Sequence, residues 1–191
     1  MNETKVISEM KFLNRNEMKL LLDYTPVSQR ERQVLDNFLF GCLTGLKYNE
    51  YHDLRKSDIK EQKFSGDSVT YLAAHVKFVK TGCISVIPIL PAAKEIIERY
   101  KDLPGDFVLP HLTNQCINQH IKMIAERAGL NKDQHQFLNT HYGRRSFIGL
   151  AVSENIPTDI IAAITCHSIN KQDVGSIDKK RFVQLLDAMK F

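Results

Sequence analysis

The sequence contains no tryptophan, and aromatic residues make up only 8% of its 191 residues. Proteins that bind single-stranded nucleic acid stack bases on exposed aromatic rings, so this composition argues against such a platform. No apolar run is long enough to cross a membrane, and the N-terminus lacks the apolar segment of a secretory signal. We therefore expect a soluble, cytoplasmic protein with no membrane partner.

Cysteine is also scarce. The four cysteines, Cys42, Cys83, Cys116 and Cys166, are far apart and lack the paired spacing of a metal site. We expect them to be reduced and mostly buried, as free cysteines usually are. The sequence thus offers no candidate metal site.

The remaining composition is that of an ordinary globular protein, with 43% hydrophobic and 25% charged residues. A chain of this length can bury a core as one domain. The formal net charge of +4 permits a phosphate-bearing partner without requiring one.

Apolar residues recur at helical spacing through most of the chain, and alternation typical of strands occurs only near the middle. Asn14 and Glu17 form a capping-box pattern, and Gly45 is placed to end the second helix. The pattern predicts helices starting near residue 14 and spanning about 28–44, 48–54, 91–101, 114–128, 141–154, 157–165 and 179–190, with strands at 68–78 and 83–89. We therefore predict a mainly helical α+β domain with a small antiparallel sheet.

Several basic residues are candidate site residues, although each also has a structural explanation. His141 and Arg144 lie three residues apart and would share one side of a helix. His167 is equally compatible with a core histidine, Lys80 with a solvated hairpin tip, and Lys47 with a favourable charge at a helix C-terminus. Only their order along the chain favours a function.

That order resembles the catalytic domain of tyrosine recombinases, in particular phage integrases and those of conjugative or mobilisable transposons. The resemblance rests on Thr44-Gly45-Leu46-Lys47 with Glu50 and Arg55, on Lys80-Thr81-Gly82, on His141 with Arg144, and on His167. It covers roughly residues 12–180. It implies the recombinase fold, duplex DNA as the partner, self-association on DNA, and chemistry without a metal or other cofactor.

Members of this family break and rejoin DNA through attack of a tyrosine on phosphorus, and cationic donors stabilise the charge on the non-bridging oxygens. By this resemblance Arg144 holds those oxygens through its planar fork. His141 and His167 contact the phosphate or manage protons, and Lys80 protonates the leaving 5′ oxygen. The implied phosphate contacts are Lys47, Arg55, Lys80, Arg144 and Arg145.

Two departures from the family pattern affect the expected chemistry. Lys47 stands at the place of the first arginine, which keeps the charge but loses the planar fork, and Arg55 is a candidate to compensate. Ser176 stands at the place of the nucleophilic tyrosine, and no tyrosine follows Tyr142. A serine hydroxyl is shorter and far less acidic than a phenol, so we expect Ser176 not to cleave DNA.

Tyr142 is a poor replacement nucleophile because neighbouring helical residues point in different directions, away from the side that His141 faces. Three origins for Ser176 stay open: a tyrosine supplied by a partner, a serine introduced to trap a DNA complex, or an inactivated natural homologue. We predict the DNA-binding catalytic domain of a site-specific recombinase or integrase that is deficient in cleavage. The alternatives are a non-catalytic DNA-binding or assembly module on the same fold and a helical protein unrelated to DNA.

We expect a single domain over residues 1–191, with a core at about 12–178. The C-terminal helix, 179–191, either folds back on its own domain or packs on a neighbouring protomer. We expect the family's N-terminal core-binding domain to be absent, and this chain alone to bind DNA weakly.

Overall fold

The structure, a computed structural model, describes residues 11–63, 70–77, 82, 84–166 and 179–191. The described elements are helices α1 (Arg15–Asp23), α2 (Gln29–Thr44) and α3 (Tyr48–His52), a 3₁₀ turn (Lys56–Asp58), strands β1 (Ile59–Lys63), β2 (Thr70–Lys77) and β3 (Ile84–Pro88), and helices α4 (Pro91–Arg99), α5 (Asn114–Arg127), α6 (Lys132–His135), α7 (Thr140–Ser153), α8 (Thr158–Thr165) and α9 (Lys179–Ala188). The prediction of a mainly helical domain with a small antiparallel sheet is confirmed.

Capping residues set the helix boundaries. Asn14 accepts hydrogen bonds from the backbone of Asn16 and Glu17, and the Glu17 carboxylate accepts one from the Asn14 backbone at 2.8 Å. This capping box satisfies donors that the first turn of α1 leaves free. Asn139 caps α7 through the backbone of Tyr142, so α7 begins at Thr140, one residue earlier than predicted.

The sheet has the order β1-β2-β3, and both pairs are antiparallel. Ala74 in β2 lies opposite Ile59 on one side and Ile87 on the other. The predicted strands 68–78 and 83–89 match β2 and β3 within a few residues. Strand β1 was not predicted, because this edge strand, Ile-Lys-Glu-Gln-Lys, has one apolar residue and no alternating pattern.

Helix α2 runs through the core and packs closely against α7. A Cβ atom on Gly143 of α7 would lie 3.4 Å from backbone atoms of Gly41, Cys42 and Phe38. Glycine therefore lets the two backbones approach more closely than a larger residue would. Buried Asp36 of α2 accepts hydrogen bonds from Arg99 at 2.9 Å and from the Tyr100 hydroxyl at 2.8 Å. The close approach at Gly143 fixes the position of α7 relative to α2, and the Asp36 hydrogen bonds attach α2 to the end of α4.

Helix α9 packs against its own chain in this structure. Phe182 is buried and makes an edge contact with Tyr71, with ring centroids 5.4 Å apart, and Arg181 pairs with Asp159 at 3.1 Å. Arg15 also donates to the carbonyl oxygens of Ala188 and Lys190. Exchange of this helix between protomers stays a prediction.

Within the described ranges, no helix is long and apolar enough to cross a membrane. Cys42 and Cys116 are free thiols, but Cys166 is disulfide-bonded. The expectation of four reduced cysteines is therefore wrong for Cys166. Sequence spacing does not show which distant cysteines the fold brings within bonding distance.

Candidate phosphate-binding site

The turn between α2 and α3 places Lys47 beside α7. Gly45 ends α2 in the left-handed conformation, with φ 71° and ψ 5°, and its backbone N–H donates to the Gly41 carbonyl at 3.0 Å. A Cβ atom at this position would lie 2.6 Å from the Phe147 ring. Both the backbone conformation and the space therefore require glycine here. Leu46 is buried and Lys47 is exposed.

Arg144 of α7 is a buried cation that connects three separate parts of the chain. It is 1% exposed, its Nη1 donates to the Gly45 carbonyl at 2.9 Å, and its Nη2 donates to the Thr165 carbonyl. Nη1 also lies 3.6 Å from a Glu50 carboxylate oxygen. Burial lowers the pKa of Arg144 and Glu50 opposes this, yet a guanidinium stays protonated in proteins. Arg144 therefore places a fixed positive charge beneath the surface.

Glu50 of α3 lies between the two cations of this region. One of its oxygens accepts the Lys47 backbone N–H at 2.7 Å, and its carboxylate is 3.9 Å from Lys47 Nζ. It is the charged partner of Arg144, and it positions the first turn of α3 at the same time. Glu50 belongs to the motif that carries the family resemblance, but sequence reasoning assigned it no role at the site. Its position three residues after Lys47, where a carboxylate caps a helix start, is the signal that could have indicated that role.

His141 lies in the first turn of α7, and its side chain is exposed. Partial burial lowers the pKa of His141, and the charges of Arg145, Arg144 and Lys47 lower it further. Three cations therefore act on one imidazole, which stays neutral at pH 7. An anion that binds here would favour the protonated ring.

Three helix N-termini meet at this cluster. Tyr48, the first residue of α3, donates its hydroxyl to the Leu112 carbonyl just before α5, at 2.8 Å. Thr140, the first residue of α7, donates its hydroxyl to Asn114 Oδ1 at 2.8 Å and its backbone N–H to Asn118 Oδ1 at 2.8 Å. The Thr140 backbone N–H is already bonded, so what these helix N-termini add to the cluster is their partial positive charge, which favours an anion.

Arg55 has different neighbours. It pairs with Asp106 at 3.6 Å and lies over the Phe107 ring at 5.0 Å. Its backbone also forms a bridge with Phe107. Compensation for Lys47 by Arg55 stays a prediction, and these contacts hold Arg55 to the loop before α5.

Lys80, His167 and Ser176 lie outside the described residues. The structure thus brings together Lys47, His141, Arg144 and Arg145 of the predicted site.

The structure shows whether Tyr142 is placed to act as a nucleophile. It is 2% exposed, its hydroxyl donates to Gln134 at 2.9 Å, and burial together with Glu17 raises its pKa. A buried, less acidic phenol is a poor nucleophile, which supports the rejection of Tyr142. In the described part of the chain, no group of histidine, cysteine or acidic residues could hold a metal ion.

No protein-family model matches the sequence, and no curated protein matches it significantly. Solved structures do share its fold. The integrase from mycobacterium phage Brujita matches with a TM-score of 0.65 at 14% identity, over 95% of this chain and 59% of that one. The XerH recombinase bound to its difH substrate in a pre-cleavage complex matches at 0.62 and 19% identity, over 92% and 53%. The lambda integrase catalytic core matches at 0.57 and 16% identity, over 85% and 95%.

The chain therefore has the fold of a tyrosine-recombinase catalytic domain. It spans about half the length of the XerH and phage Brujita proteins and nearly all of the lambda integrase catalytic core.

Proposed function

We propose that this chain is a DNA-binding domain of the tyrosine-recombinase type that holds one backbone phosphate of duplex DNA but does not cleave it. The observation that carries the proposal is the cluster of Lys47, His141, Arg144 and Arg145 where three helix N-termini meet, within a recombinase fold. DNA-bound relatives support the choice of ligand. XerH is bound to difH, and lambda integrase to its core site and to a Holliday junction.

The cluster supplies the electrostatics that a phosphate requires. Lys47 and His141 are exposed and Arg145 is half-buried, so these side chains can meet an oxygen anion directly. Arg144 lies beneath them and adds a fixed charge held by backbone carbonyls. Preorganised donors of this kind stabilise negative charge without reorganisation, and they replace a metal ion in that role.

Cleavage needs a nucleophile as well as this grip. In the proposed reaction of a tyrosine-bearing relative, the phenol gives its proton to a base, the role that the resemblance offers to the residues at positions 141 and 167, and its oxygen forms a bond to phosphorus. The bond from phosphorus to the 5′ oxygen breaks, and that oxygen takes a proton from an acid, the role that the resemblance gives to Lys80. Ser176 offers an alcohol of much higher pKa than a phenol. We propose that this substitution separates binding from cleavage.

A second candidate is a non-catalytic DNA-binding or assembly module. The position of Arg144 favours it, because both terminal nitrogens donate to main-chain carbonyls rather than pointing to solvent. Assembly on DNA is proposed on the same basis as DNA binding, since lambda integrase forms a dimer at its core site and a tetramer at a Holliday junction. In this proposal α9 is the segment available for exchange between protomers.

Restoring the nucleophile tests the proposal. Ser176→Tyr is incubated with a library of nicked duplexes whose core is randomised, and Ser176→Phe is the matched control without a hydroxyl. We expect a covalent protein–DNA adduct on a denaturing gel for the tyrosine variant and none for the phenylalanine variant or the unmodified chain. DNA binding without an adduct would favour the non-catalytic module. Absence of duplex binding even at low salt would contradict both.

A further inference from the structure

Cys116 of α5 lies beside an arginine and a histidine that the phosphate cluster does not include. Its Sγ accepts a hydrogen bond from Arg30 Nη2 of α2 at 3.0 Å and lies 3.7 Å from His120 Nδ1. The thiol is free and half-buried, so a small reagent can reach it. Cys42, the other free thiol among the described residues, is fully buried, and burial raises its pKa. Cys116 is therefore the accessible thiol of the two.

The hydrogen bonds around Cys116 show which form of the sulfur they favour. His120 Nδ1 lies 2.8 Å from the backbone carbonyl oxygen of Cys116. A carbonyl oxygen can only accept, so Nδ1 carries the proton of the neutral ring and donates it to this bond. The N–H groups of Arg30 and His120 thus both lie next to Sγ as donors. Donors favour an anionic sulfur, and the thiolate is the form that acts as a nucleophile.

Arg30 adds a positive charge that no carboxylate neutralises in the part of the chain that the structure describes. Its side chain is exposed, and the hydrogen bond that it donates there goes to Cys116. Arg127, on the same side of α5 as Cys116, is by contrast paired with Glu31 at 2.9 Å. A carboxylate on a ligand can therefore pair with Arg30 while the reactive group of the ligand meets the thiol.

A small cavity adjoins this cluster. Its volume is about 100 Å³, and it is lined by both residues that contact the Cys116 sulfur, Arg30 and His120. Val27 and Met123 also line it, and they are 77% and 40% exposed. Exposed apolar side chains at a cavity indicate a ligand with an apolar part. The cavity, the charge and the thiol together fit a small molecule with a carboxylate, an apolar body and a group that a thiolate attacks.

We propose that Cys116 is a modification site that forms a mixed disulfide with a small disulfide bearing a carboxylate. The thiol releases its proton to solvent, its sulfur forms a bond to one sulfur of the reagent, and the S–S bond of the reagent breaks. The other half of the reagent leaves as a thiolate and takes up a proton. Cys116 is oxidised and the departing half is reduced, so the exchange needs no further oxidant. This inference goes beyond the proposed function and does not depend on DNA binding.

The rate of thiol–disulfide exchange tests the assignment. The folded chain is treated at pH 7 with dithiobis(nitrobenzoic acid), a carboxylated aromatic disulfide whose released thiolate is coloured, and with dithiodipyridine, a neutral aromatic disulfide. Cys116→Ser removes the thiol, and Arg30→Gln removes the adjacent charge. Lys122→Gln, which removes an exposed charge from another side of α5, is the matched control. Peptide mass mapping locates the adduct, and circular dichroism checks that each variant is folded.

We expect one fast adduct on Cys116 that forms at least about tenfold faster than on N-acetylcysteine amide, because an ordinary thiol is only a few per cent ionised at pH 7. Arg30→Gln should slow the carboxylated reagent about fivefold more than the neutral one, and Lys122→Gln should change neither rate. A fast adduct that persists in Cys116→Ser, or a Cys116 that reacts no faster than the free thiol, would overturn the proposal. Equal slowing of both reagents by Arg30→Gln would overturn the carboxylate as part of the ligand.

Discussion

Arg144 and Lys47 pair with the same carboxylate, but Arg144 is the buried end of the cluster and Lys47 is its exposed end. Glu50 is 3.6 Å from Arg144 Nη1 and 3.9 Å from Lys47 Nζ. The Arg144 side chain is 2% exposed, whereas the Lys47 side chain is 49% exposed. One cation is therefore part of the folded core and the other is available to a ligand.

The difference shows what each position requires of its side chain. A buried cation needs several fixed acceptors, and the planar guanidinium of Arg144 reaches carbonyls on two separate segments and a carboxylate. An exposed cation needs only charge and reach. Lysine at position 47 is thus compatible with the fold even though it loses the fork that would hold a phosphate.

The largest expected effect is the loss of stability when the buried cation, Arg144, is removed. Arg144→Gln removes the charge and leaves Glu50 and two carbonyls short of their partner, so we expect a loss of about 3–5 kcal/mol of unfolding free energy. Lys47→Gln, which removes an exposed charge from the same carboxylate, should cost less than about 1 kcal/mol. Urea unfolding followed by circular dichroism measures both. Equal losses would contradict the distinction between the two ends.

The turn that carries the Gly45 carbonyl gives a somewhat smaller effect. Gly45→Ala forces a side chain into a left-handed position and into the Phe147 ring, so we expect about 2–4 kcal/mol of destabilisation. Gly129→Ala is the matched control, since Gly129 has φ 93° but open space around its Cβ position. It should lose only the backbone contribution of about 1–2 kcal/mol. The same unfolding experiment would show similar losses if packing at Phe147 were unimportant.

At the exposed end, the pH dependence of DNA affinity tests whether His141 contacts the phosphate. The pKa of free His141 is lowered by burial and neighbouring cations, and a bound phosphate raises it again. The DNA complex therefore binds more protons than the free chain, and affinity should rise as the pH falls through the interval between the two pKa values. Fluorescence anisotropy at several pH values should show a shallower rise for His141→Gln. An unchanged pH dependence would remove His141 from the site.

The smallest expected effect is a change in the pKa of His141 when a neighbouring cation is removed. Arg145, Arg144 and Lys47 lower the pKa of His141 in that order of strength. Arg145→Gln should therefore raise the pKa of His141 more than Lys47→Gln does, as measured by NMR titration of the imidazole. Lys94→Gln, which changes an exposed side chain of α4, should leave it unchanged. The opposite order would mean that Lys47 is nearer to the ring than Arg145.

Local signals predicted much of this fold. Asn14 begins one helix and Gly45 ends another where the sequence indicates, because their side-chain or backbone chemistry acts within a few residues. The one-turn helix α6 and the edge strand β1 were missed because both are short and largely polar. Periodicity carries little information in such segments.

The sequence identified residues of the site, but it did not predict how their side chains are arranged in the fold. Proximity of His141 and Arg144 follows from helical spacing. The burial of Arg144 does not, because its acceptors Gly45 and Thr165 are 99 and 21 residues away in the sequence. The attachment of Arg55 to Asp106 and Phe107 likewise depends on tertiary structure.

The most direct test of DNA binding through this cluster is the salt dependence of affinity for a random-sequence duplex. Each phosphate contact contributes about 0.9 to the slope of log affinity against log salt. We expect Lys47→Gln and Arg145→Gln each to reduce that slope by about this amount, and Lys94→Gln to leave it unchanged. If the duplex does not bind at low salt, or if the Lys47 and Arg145 variants keep the slope of the unmodified chain, the cluster does not hold a DNA phosphate.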